Sequence, residues 1–132
     1  MSQFGNVPAE SLVDAVEKHV AKMDEAELAS LLAAQVSIMP TDAVRALVES
    51  IFDAFRDRGE SSEDAAENAG TTLESIERGD LQAVAALIAY ARQNTGVMKE
   101  AVGLLAEEHR DVLSALPRTL LDGIAQRLTQ TT

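Results

Sequence analysis

Apolar side chains recur along this chain at every third or fourth position, and no window sustains the strict alternation of a half-buried strand. The spacing predicts helices from near the start to near the end. Pro8 opens the first, in which Leu12, Val16, Val20 and Met23 share a face. Proline suits the first turn of a helix because an amide there would find no partner. Asp24-Glu25-Ala26-Glu27 has the form of a capping box for a second helix. That helix carries Leu28, Leu31, Leu32 and Val36 and stops before Pro40. A third begins near Thr41 and Asp42 and aligns Val44, Leu47, Val48, Ile51, Phe52 and Phe55, the clearest amphipathic stripe in the chain. Gly59 is its natural stop.

Residues 60–80 differ in kind. Glu60, Glu63, Asp64, Glu67, Glu74, Glu77 and Asp80 stand there against one base, Arg78, and the only large apolar side chains are Leu73 and Ile76. Ser61, Ser62, Thr71 and Thr72 can cap helices, and Gly70 and Gly79 can end them, so two short helices are predicted at about 62–69 and 72–78. A mobile linker is the alternative reading of this acidic segment.

From Leu81 to Ala91 the only strongly polar residue is Gln82. A helix apolar around nearly its whole circumference needs cover on nearly every side. It is too short to span a bilayer, which takes about 20 apolar residues. This segment, about 81–94 with its flanks, is therefore expected at the centre of the fold, at a contact with a second copy, or both. Another helix should run from about Val97 to Leu113, with a break near Glu108-His109-Arg110, and bury Met98, Ala101, Val102, Leu105 and Val112. The last opens at Pro117 and shows Leu120, Leu121, Ile124 and Leu128 on one side; residues 129–132 read as a frayed tail.

Composition narrows the picture. The chain has 132 residues, about one domain, with 46% apolar and 3% aromatic positions. Alanine supplies 22 positions and leucine 15, which favours helices over sheets. The predicted fold is all-α, a single-domain bundle of six to eight helices around the apolar segment. A core so poor in aromatics suggests a homodimer. Twenty-two acids against 11 bases give a formal charge of −11, which repels phosphate backbones and anionic lipid and favours basic partners. The absence of cysteine excludes disulfides, thiolate metal sites and a cysteine nucleophile. No apolar run is long enough for a membrane span, and Met1-Ser2-Gln3-Phe4-Gly5-Asn6 lacks the basic start and apolar stretch of a secretory signal. A cytoplasmic location is the expectation.

Candidate chemistry is sparse. A di-iron bundle uses Glu-x-x-His pairs, but Val16 stands three before His19 and Ala106 three before His109. Both histidines read as surface residues. No serine lies in a Gly-x-Ser-x-Gly elbow, and no glycine-rich phosphate loop occurs. Glu63-Asp64 and Glu107-Glu108 could do acid–base work, but in so acidic a chain they read as solvated faces. The stretch 65–79 looks partly like a helix-turn-helix: Ala66 lies four before Gly70 and Ile76 six after it. Gly79 then falls where that motif needs a core residue, and the second helix would show Glu74 and Glu77 to the phosphates.

These observations predict a non-catalytic protein-interaction or regulatory module, with no cofactor, metal or catalytic residue. Its expected partner surface is Glu60, Glu63, Asp64, Glu67, Glu74 and Glu77, facing another protein of basic character. A carrier or sensor for a small apolar molecule is the alternative, with a pocket at Phe52, Phe55, Tyr90 and Met98. A helix-turn-helix regulator of DNA is the third reading.

Overall fold

The computed structural model describes residues 8–94 and 96–130. In chain order the helices are α1 (Ala9–Ala21), α2 (Glu25–Gln35), α3 (Thr41–Asp57), α4 (Ser62–Asn68), α5 (Leu73–Glu77), α6 (Leu81–Arg92), α7 (Val97–Glu108) and α8 (Arg118–Gln130). A 3-10 turn, Arg110–Ala115, joins the last two, and no strand occurs among the described residues. The bundle is all-α, as its hydrophobic spacing predicts.

The helix boundaries follow local chemistry. Asp24 Oδ1 accepts from the Ala26 amide at 3.1 Å, Ser61 Oγ from Asp64 at 3.2 Å, Thr72 Oγ1 from Ser75 at 3.1 Å and Asp80 Oδ1 from Gln82 at 3.0 Å. Each such cap satisfies an amide with no partner inside its helix and contributes about 1 kcal/mol. The carbonyls of Pro8 and Pro40 accept from Leu12 and Val44, at 3.0 and 3.1 Å, as α1 and α3 begin. Gly70 and Gly79 end the turns after α4 and α5 at φ 85° and 86°, where a side chain would be strained. The acidic segment is thus a pair of short helices. The chain breaks after Glu108, where expected. Helix α8 continues through Gln130, so the predicted fraying does not begin at Thr129; residues 131–132 lie outside the described residues.

Helices α3 and α7 form the longest contact of the core, and α1, α2, α6 and the 3-10 turn also pack on α7. Leu47, Ile51 and Phe55 of α3 meet a layer in which Met98, Val102 and Leu105 of α7 are fully buried. Burying one such side chain contributes roughly 1.5–3 kcal/mol. Ser50 of α3 is the sole buried polar side chain in this layer, and its hydroxyl has no partner.

The surroundings of α6 correct one expectation, that it is covered on nearly every side. It touches α2, α3, α4, α5 and α7, and buries Ala83, Val84, Leu87, Ile88 and Ala91. Its outer side is open: Leu81 is 46% exposed, Gln82 and Ala89 are exposed, and Ala85 and Ala86 are half-buried. The helix is covered on one side rather than all round. An alanine methyl left in water costs little, so apolar count overstated the need for cover. Helix α7 buries a larger share of its residues than α6 does.

Candidate functional site

The residues singled out from the sequence fall into three places. Glu60 is half-buried and committed: its Oε2 accepts from Tyr90 Oη at 2.7 Å and from Asn68 Nδ2 at 3.1 Å. Burial and this carboxylate together hold the Tyr90 phenol above its usual pKa. Glu63 and Asp64 lie in the first turn of α4 and Glu74 in the first turn of α5, where a negative charge complements the helix dipole. Glu67 and Glu77 are exposed.

The apolar candidates do not enclose a common cavity. Phe55 stacks on Tyr90, ring centroids 5.1 Å apart, and Phe55 and Met98 are sealed in the core. Phe52 instead forms the floor of a groove between α3 and α5, about 280 Å³, with Val44, Val48, Ile76, Arg45, Glu49 and Glu77. The helix-turn-helix candidate does form two helices around Gly70, and buries Ala66 and Ile76. Its second helix has only five residues and exposes Glu74 and Glu77, with the exposed Arg78 just beyond its end.

Neither histidine is a free surface group. His19 is half-buried where α1 packs on α8: its ring lies against Gly123, so that a methyl group there would overlap it. Burial, then the nearby Arg127 guanidinium, lower its pKa below 6.5. His109 Nε2 stands 3.6 Å from Glu49 Oε2. Among the described residues no group of three or more histidines and acids is placed to hold a metal.

The feature that sequence reading missed lies between α1 and α7. Two adjoining cavities, about 320 and 480 Å³, share Glu17 and Glu107 and form one open trough. Val13, Val20 and Ala21 of α1 and Gly103 and Leu104 of α7 supply its apolar surface. Gly103 faces Glu17 across the trough, where a Cβ would make ordinary contact with Glu17 Cγ at 3.4 Å. Glu10, Asp14, Glu17, Glu100 and Glu107 line the rim, against Lys99.

The rim carboxylates are not equivalent. Asp14 pairs with Lys18 at 3.1 Å, and Glu100 with Arg58 at 2.5 Å. Burial and a hydrogen bond with Asp57 raise the Glu100 pKa, against the opposing pull of Arg58. Lys99 Nζ donates to the Ala21 carbonyl at 3.2 Å, at the C-terminal end of α1. Glu10, Glu17 and Glu107 make no hydrogen bond or ion pair with the described residues. Glu107 also sits in the last turn of α7, which has no base, so its charge opposes the helix dipole.

No protein-family model matches the chain, and neither the curated proteins nor the solved structures include a significant match. No helix among the described residues is long and apolar enough to cross a membrane.

Proposed function

We propose that this protein is a non-catalytic helical interaction module that binds a basic protein partner through an acidic surface. The observation that supports this reading is the imbalance of its surface charge. Acids outnumber bases 22 to 11, and only four side-chain ion pairs join the described residues. Most carboxylates are thus left to interact with solvent or with a cationic partner. The same field disfavours nucleic acid, because phosphates would meet carboxylates.

Titration calorimetry with cationic, neutral and anionic helical peptides of matched length tests the reading. The cationic peptide should bind at low ionic strength and weaken steeply toward about 0.3 M salt, where the screening length is about 6 Å. Absence of binding at low salt, or equal binding of all three peptides, would contradict it.

A second reading rests on the α3/α5 groove. Its floor of Val44, Val48, Phe52 and Ile76 could receive a small apolar ligand, although its 280 Å³ lies at the lower edge of cavities that enclose one.

A further inference from the structure

We propose that the trough between α1 and α7 is the docking site for one cationic amphipathic helix of a partner protein. The inference rests on the reading of the protein as an acidic binding module, and it names the site and the form of the partner.

The shape of the trough argues for a helix. Its two walls are helices whose backbone groups are already bonded within themselves, so an extended segment laid there would find no backbone partners. A helical segment brings its own hydrogen bonds and needs only side-chain complementarity. From Glu10 to Ala21 the α1 wall is about 16 Å long at 1.5 Å per residue, enough for about three turns of a third helix. Val13, Ala21 and Leu104, the apolar lining residues that keep exposed surface, would receive apolar residues spaced at i, i+3/i+4 and i+7, over a base formed by the buried Val20.

Charge selects the occupant. Glu10, Glu17 and Glu107 bracket the apolar floor without partners among the described residues, so bases flanking the apolar stripe of a docked helix would meet them. A base beside Glu107 would also relieve its conflict with the α7 dipole. A second copy of this chain fits poorly. None of its helices carries more than two Lys or Arg, and two copies would bring together charges of −11 each.

The test uses the full chain and a fluorescent peptide of about 14 residues, Leu and Lys arranged amphipathically, with a scrambled peptide of the same composition. Dissociation constants are read by anisotropy for wild type, for Glu17→Lys/Glu107→Lys, and for Glu67→Lys/Glu77→Lys, which makes the same charge change on α4 and α5. Glu17→Gln/Glu107→Gln guards against misfolding of the reversed variant, and circular dichroism checks each fold. The trough reversal should weaken binding at least about tenfold, the neutral pair about threefold, and the α4/α5 reversal no more than about twofold. The scrambled peptide should bind markedly more weakly. Equal losses in the two reversed variants, with scrambled binding unchanged, would overturn the trough while leaving a diffuse acidic binder. A loss confined to the α4/α5 variant would move the site to that segment and overturn it as well. No binding of either peptide to wild type would overturn both the site and the function.

Discussion

The two acidic regions of this molecule look alike in composition and differ in what their charges do. Within residues 60–80, Glu60 holds Tyr90 and Asn68, Asp80 caps α6, and Glu63, Asp64 and Glu74 sit in first turns where the helix dipole favours them. Those carboxylates contribute to folding. Along the α1/α7 trough, Glu17 and Glu107 have no partner among the described residues, and Glu107 lies at the unfavourable end of its helix. Glu10 and Asp14, four apart on α1, repel each other, and Asp14 and Glu17, three apart, do the same. Charges that oppose local stability are better candidates for binding than charges that support it. The proposed partner surface is therefore the trough rather than the denser run of acids at 60–80, where Glu67 and Glu77 are exposed as well.

Removing the caps should show the structural side of this contrast most strongly. Asp80→Ala and Thr72→Ala should each lower unfolding free energy by about 0.5–2 kcal/mol in denaturant titrations, with peptide binding unchanged. Stability unaffected by both would mean that the acidic segment contributes little to the fold. Tyr90→Phe should cost about 1 kcal/mol, because the Glu60 carboxylate loses its shortest hydrogen bond. A cost near zero would reclassify Glu60 with the unpaired surface acids. In the trough the sign should reverse. Glu107→Gln should raise stability by about 0.3–1 kcal/mol by removing a charge that opposes the dipole, and should weaken cationic-peptide binding at the same time. A loss of stability would show that Glu107 has a structural role.

Mild acid should separate the regions more subtly. His19 anchors the α1 wall against α8, and its pKa lies below 6.5 in the folded state because burial, then Arg127, disfavours the charged ring. A depressed folded pKa means that the stabilisation is present above pH 6.5 and is lost as pH falls through the folded value. Unfolding free energies at pH 7.5 and 5.5 should therefore drop more for wild type than for His19→Gln. Parallel drops would remove His19 from the account. Residues 60–80 contain no histidine, so local amide protection there should change less over this interval.

Much of the architecture was legible from local pattern. The stripe of α3 is buried along its whole length, from Val44 to Phe55. Caps at Asp24, Ser61, Thr72 and Asp80 form, and Gly70 and Gly79 end their helices in the left-handed conformation. These features depend on residues within one turn of each other, so sequence carries them. The relative burial of α6 and α7 was not legible. The apolar surface of α6 is largely alanine, which needs little cover, whereas α7 presents Val97, Met98, Val102 and Leu105, all fully buried.

The trough was hidden for the same reason. Glu10, Val13, Glu17 and Val20 share a stripe of α1, and Glu100, Leu104 and Glu107 a stripe of α7, and these spacings could have been read. That the two stripes flank one cleft depends on which helices pair, a long-range choice that local periodicity does not encode. The packing of His19 on Gly123 is a similar case: two unremarkable residues gain their roles only when α1 meets α8.

Amide shift mapping of the labelled chain during titration with the amphipathic Leu–Lys peptide tests the central claim most directly. The account predicts the largest shifts at Val13, Glu17, Val20, Gly103, Leu104 and Glu107, with Glu63, Glu67 and Glu74 nearly still. Shifts concentrated in α4 and α5, or spread evenly over the acidic surface, would contradict it.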